Sequence, residues 1–146
     1  NRKEVAIMTY RQLKIFHGDK MTQNFVELQA QIQRFLSLMK SDKHDEAEFH
    51  LHRILELNDA IVRTRNGSEA LAARSLSNAM NHLTVSLRYM RYNKNLGALE
   101  NLLLSLRQAN RASELSENLR PFANELSEVV REMLLQVTDQ TYMASR

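Results

Sequence analysis

The sequence predicts an all-α protein, an antiparallel up-down bundle of four to six helices that forms one domain over residues 1–146. One supporting observation is the scarcity of Pro and Gly, with 1 and 3 residues respectively, because turns and hairpins use both types whereas helix interiors exclude them. The other is the spacing of the apolar residues. They recur at intervals of three and four, as on helices that pack side by side.

The first clear stripe of apolar residues begins after Thr22, a residue type that caps helices. It predicts a helix that packs against another helix, either within the subunit or across a dimer. Its members are Phe25, Leu28, Ile32, Phe35 and Met39.

A turn from Asp42 to Asp45 precedes a second helix, predicted over about residues 43–65. The members of the second stripe are Ala47, Leu51, Ile54, Leu55, Asn58, Ile61 and Val62.

The segment from Arg65 to Glu69 contains Gly67 between residues that cap helices, and it predicts a break in the chain. A third helix should run from there to about Tyr92. A fourth should open at Leu96, with Gly97 in its first turn. The apolar members of these two helices are Leu76, Ala79, Met80, Leu83, Leu87 and Met90, followed by Leu96, Leu99, Leu102, Leu103 and Leu106.

Pro121 predicts the last boundary, because proline lacks an N–H group and is tolerated only in the first turn of a helix. We expect a break or kink between residues 110 and 120 and a fifth helix after it. Its apolar members are Phe122, Leu126, Val129, Val130, Met133, Leu134 and Val137. At the other end of the chain, a short helix ending near Gly18 is expected, although residues 1–10 also fit a strand.

The composition argues against an enzyme. Without cysteine there is no thiolate nucleophile and no cysteine-ligated metal, and no serine lies in a Gly-x-Ser-x-Gly turn. The three glycines are isolated, so neither a P-loop nor a dinucleotide fingerprint can form. We therefore expect no cofactor. No apolar run approaches the ~20 residues that cross a bilayer, and we expect a cytoplasmic protein without a membrane span.

One polar cluster could offer metal ligands. His44, Glu48 and His52 recur every four residues, so a helix would place them on one face. This spacing is similar to one element of the hemerythrin-like di-iron bundles. The alternative interpretation is a solvated face in the first turns of a helix, where acidic residues oppose the positive end of the helix dipole.

A basic and aromatic cluster ends the third predicted helix and is the candidate partner-binding site: Arg88, Tyr89, Arg91 and Tyr92. Basic side chains interleaved with aromatic rings can hold phosphates and stack bases, or they can contact an acidic protein. Arginines at this position also complement the negative end of the helix dipole. The net charge is only +3, and 17 acidic residues are interleaved with the basic ones, which is not typical of a nucleic-acid-binding protein.

Part of the sequence resembles the flagellin-binding export chaperones, which are small helical proteins that hold an unfolded secreted subunit. The resemblance covers Gly67-Ser68-Glu69 at the start of a helix and the stretch from Leu83 to Tyr92 that closes it. It continues through Leu99-Glu100, Leu102-Leu103 and Leu106. The resemblance implies a helical bundle that holds a secreted protein.

Taken together, these patterns favour a non-enzymatic helical module that acts through protein–protein contact, as an adaptor, chaperone or regulator. A homodimer is part of this expectation. The alternatives are a basic helical regulator that binds nucleic acid and a bundle of the export-chaperone type.

Overall fold

The computed structural model describes residues 16–64 and 67–144, and the side chains of residues 23–63 and 67–139. Five helices are present in these ranges: α1 (Phe16–Lys40), α2 (His44–Thr64), α3 (Ser68–Arg91), α4 (Asn95–Leu115) and α5 (Arg120–Ala144). The described ranges contain no strand. The predicted all-α bundle is therefore confirmed.

Two of the helix ends are closed by the same backbone motif. At the end of α3, Asn93 has a positive φ of 58°, its N–H donates to the Met90 carbonyl at 3.0 Å, and the Lys94 N–H donates to the Tyr89 carbonyl at 2.9 Å. This pair of bonds is the Schellman motif, for which asparagine is one of the tolerated residues. Asp42 closes α1 in the same way, with φ of 60°.

The prediction that a short helix ends near Gly18 is wrong, because Gly18 lies within a described helix. α1 begins at Phe16 and continues through Gly18 and Thr22 to Lys40, so Thr22 is not the N-cap that the sequence indicates. One glycine costs a helix only about 1 kcal/mol, which is less than a helix of 25 residues gains from its hydrogen bonds and packing. Residues 1–15, with the alternative strand over residues 1–10, lie outside the described ranges. The later boundaries are confirmed, since α4 ends at Leu115 and Pro121 is the second residue of α5.

The core is built from the predicted stripes. All five apolar members of the first stripe are buried, with Ile32 and Phe35 almost completely shielded from solvent. They pack within the subunit, where α1 contacts α2 and α5. Two members of the second stripe are not buried. Val62 is half-buried, and Leu55 is 37% exposed, whereas its neighbour Ile54 is fully buried. The stripe of α2 is therefore narrower than its sequence indicates.

α3 contacts three other helices of the bundle, α2, α4 and α5. Half of its 24 residues are buried, and most of these are Ala or Ser. Small side chains allow close approach of two helix backbones, and the Ser105 hydroxyl of α4 donates to the Ala79 carbonyl of α3 at 2.6 Å. The α3–α4 contact is the most extensive in the bundle.

Contacts between α1 and α2 run in the order of an antiparallel pair. Arg53 donates two hydrogen bonds of 2.8 Å to Glu27, and these bonds hold the pKa of the Glu27 carboxyl below its usual value. Gln31, further along α1, contacts His50, which is earlier in α2. This order supports the up-down arrangement, which stays a prediction for the bundle as a whole. No helix within the described ranges is long and apolar enough to span a membrane.

Candidate functional site

Three of the four predicted partner-binding residues line a surface depression at the end of α3, and the fourth, Arg91, does not. This depression, which we call the tyrosine depression, has a volume of about 340 Å³ and is lined by Val85, Arg88, Tyr89, Tyr92 and Lys94. Tyr92 is 72% exposed and Tyr89 is 37% exposed. Exposed aromatic rings beside cations are typical of the residues that anchor protein partners.

The floor of the tyrosine depression depends on a glycine in α4. A β-carbon at Gly97 would lie 2.8 Å from Cδ1 and 3.0 Å from Cγ of Tyr89. The ring can therefore rest against the backbone of α4 only because residue 97 has no side chain. Tyr89 is held in place by this contact, while Tyr92 one turn later projects into solvent.

The charged side chains that line the depression are both cationic. Its lining contains the cations Arg88 and Lys94 and no acidic residue. Lys94 is also the N-cap residue of α4, a helix that has no side-chain cap and no acidic residue in its first turn. The positive end of the α4 dipole is therefore uncompensated beside Lys94.

Both predicted arginines also form ion pairs with the start of α2. Arg88 contacts Glu48, and Arg91 contacts Asp45 at 3.1 Å. The acidic residues complement the positive end of the α2 dipole, and the arginines complement the negative end of the α3 dipole, as the sequence indicates. The structure adds that the acidic residues and the arginines contact each other. Much of the arginine charge is thus already balanced by the protein itself.

The three candidate metal ligands are not gathered into a site. Glu48 contacts Arg88, and the His44 ring nitrogen Nε2 lies 3.6 Å from the Asp42 carboxylate. His52 is exposed on α2. Over the described residues, no group of three or more His, Cys, Asp or Glu side chains is placed to hold a metal ion.

A second apolar surface lies on α4. Its three leucines, Leu96, Leu103 and Leu104, are 75%, 55% and 37% exposed. We call them the leucine face. The spacing of the apolar residues predicts Leu96 and Leu103 on the packed stripe of this helix, and that prediction is wrong. The reason is that α4 packs on α3 through its small residues, which rotates these leucines outward.

The sequence indicates the four residues at the end of α3 but not the residues that they contact. The contact between Tyr89 and Gly97 joins two helices, and no spacing rule within one helix indicates it. The one available signal was a glycine in the first turn of a helix that otherwise excludes glycine.

The fold and these surfaces define an all-α helical bundle with an exposed aromatic and aliphatic area on α3 and α4. The chain matches no protein-family model, no curated protein and no solved structure.

Proposed function

We propose that this chain is a non-enzymatic protein-interaction module of the cytoplasm, an adaptor, chaperone or regulator that binds an acidic segment of a partner protein. The binding site is the tyrosine depression. The observation that carries the proposal is the pair of exposed rings, Tyr89 and Tyr92, in a depression lined by two cations and no acid. Tyrosine buries a large area at low entropic cost, which makes it a frequent anchor of protein interfaces.

The chemistry of the lining indicates what the partner segment carries. Val85 and the two tyrosine rings would bury apolar side chains, and Lys94 would lie beside a carboxylate. We therefore expect a segment in which Leu or Phe alternates with Glu or Asp, such as one face of an amphipathic helix.

A protein segment fits this surface better than a nucleic acid. Arg88 and Arg91 are paired with Glu48 and Asp45, so a phosphate backbone would have to displace two carboxylates or lie beside them. Nucleic-acid binding relies on cations that are free to neutralise successive phosphates. Lys94 belongs to none of the ion pairs between described residues, so an acidic segment would pair with it without displacing a carboxylate.

The proposal can be tested with a fluorescent amphipathic peptide that carries Leu at spacings of three and four and Glu at its other positions. Its binding is compared with that of two peptides in which Gln or Lys replaces Glu. We expect only the Glu peptide to bind strongly, and Tyr92→Ala to weaken its binding at least about tenfold. Phe49→Ala is the matched control, because Phe49 is equally exposed on α2.

Two results would overturn the proposal. One is equal binding of all three peptides, and the other is a Tyr92→Ala variant that binds as the parent does. A random-sequence DNA duplex is measured alongside at two salt concentrations. Strong, salt-dependent DNA binding that disappears on Arg88→Ala with Arg91→Ala would replace the protein partner with a nucleic acid.

A further inference from the structure

α4 presents its side chains in an unusual way. Its buried residues are Ala98, Leu102, Ser105, Ala109 and Ala112, so four of the five are small. Three larger leucines, Leu96, Leu103 and Leu104, remain in solvent. The other four leucines of α4 are buried or packed against the core: Leu99, Leu102, Leu106 and Leu115. Surface helix positions away from the core are ordinarily polar. The leucine face therefore has the character of a surface that another molecule covers.

The charges beside the leucine face are arranged symmetrically about its centre. Glu100 lies three residues before Leu103, and Arg107 lies three residues after Leu104. Neither Glu100 nor Arg107 belongs to any of the ion pairs between described residues. The half of the leucine face that precedes its centre thus carries the negative charge of Glu100, and the half that follows carries the positive charge of Arg107.

From this arrangement we infer that a second copy of the chain covers the leucine face, with the two α4 helices antiparallel about a twofold axis between Leu103 and Leu104. Such an axis brings Leu103 of one copy opposite Leu104 of the other. It also brings Glu100 opposite Arg107 of the second copy, and the symmetry forms this ion pair twice. The inference does not depend on the tyrosine depression.

The outer end of the face has a matching feature. Leu96 lies seven residues before Leu103, so the same axis places it opposite Arg111, seven residues after Leu104. A surface depression of about 460 Å³ lies there, lined by Arg107, Gln108, Asn110, Arg111 and Glu114. The aliphatic stems of its two arginines can cover Leu96 of the second copy while their charged ends stay in water.

The size of this interface predicts a reversible dimer. A stable dimer buries about 800 Å² on each partner, which is about a tenth of the 8452 Å² surface of this chain. α4 has 21 residues and is about 30 Å long. A contact centred on one such helix falls at the small end of the range, so we expect dissociation at micromolar concentrations.

Charge exchange tests the inference in sedimentation equilibrium measured from low to high micromolar concentration. The parent chain should be a dimer at the upper end. Glu100→Arg should weaken the dimer at least about tenfold, because it places two arginines opposite each other at both symmetric positions. The double variant Glu100→Arg with Arg107→Glu restores opposite charges and should recover the dimer.

Two controls keep the result specific. Glu128→Arg makes the same change of charge on the exposed surface of α5 and should leave the dimer unchanged. Leu103→Glu should dissociate the dimer without loss of the circular dichroism signal of the helices, since Leu103 does not belong to the core.

A parent chain that is monomeric throughout would overturn the inference. A dimer that resists Leu103→Glu would overturn it too, and so would a single charge reversal that the second reversal does not rescue.

Discussion

The ring of Tyr89 occupies the space that a side chain on Gly97 would need, with Cδ1 only 2.8 Å from the position of a β-carbon. Gly97→Ala is therefore predicted not to stabilise α4, although alanine normally favours a helix over glycine by about 1 kcal/mol. The ring must move outward, and the tyrosine depression should lose its floor. Chemical denaturation measures the stability, and the NMR signals of the Tyr89 ring report its displacement.

The matched control repeats Gly97→Ala in a chain that already carries Tyr89→Ala. With the ring removed, the alanine should show its full advantage and raise the free energy of unfolding by up to about 1 kcal/mol. The same gain in both backgrounds would mean that Tyr89 does not rest on Gly97.

Asn58 is a polar residue in the core, only 7% exposed, and its side-chain oxygen has no hydrogen-bond partner among the described residues. A buried acceptor without a partner costs about 1–3 kcal/mol. Asn58→Leu should therefore raise the free energy of unfolding by about 1 kcal/mol or more, as measured by urea denaturation. Asn78→Leu, at an exposed position of α3, should change it little. A destabilised Asn58→Leu variant would show that the oxygen is satisfied in solution.

Ile32 is 1% exposed at the centre of the α1 stripe. Ile32→Asp would bury an unpaired charge there and should cost about 3–5 kcal/mol, which is enough to unfold many domains of this size. Gln33→Asp changes the exposed neighbour and should be nearly neutral. Thermal unfolding followed by circular dichroism separates the two, and equal melting temperatures would contradict the assignment of the core.

The Glu27–Arg53 pair predicts a dependence of stability on pH. Since folding lowers the pKa of Glu27 below its ordinary value of 4.5, the pair stabilises the protein at higher pH. This contribution is lost as the pH falls from about 4.5 through the lowered pKa. An NMR titration should find the pKa of Glu27 lowered in the parent chain and returned toward its ordinary value in Arg53→Gln. The same pKa in both chains would contradict the contact.

The helices could be predicted from the sequence because their signals are local. Apolar residues at spacings of three and four mark the buried face of α1, and Pro121 marks the start of α5. The break predicted at Gly18 was wrong for the same reason, since a local signal is outweighed by the rest of a long helix.

The surfaces could be predicted only in part. Arg88, Tyr89, Arg91 and Tyr92 are found from composition at a helix end, but their contacts with α2 and α4 depend on which helices are neighbours. The orientation of α4 was missed for a different reason. The hydrophobicity of Leu103 predicts that it is buried. In the structure, the face of α4 that packs against the small residues of α3 carries mainly alanine and serine, and Leu103 lies on the outward face.

That orientation of α4 can be measured directly, because the chain contains no cysteine and a single introduced thiol is the only one that reacts. Leu102 is fully buried and Leu103 is 55% exposed. In dilute native protein, Leu103→Cys should be modified by a maleimide as fast as in unfolded chain. Leu102→Cys should react only as fast as the protein unfolds. Fast modification at residue 102 with protection at residue 103 would contradict the leucine face.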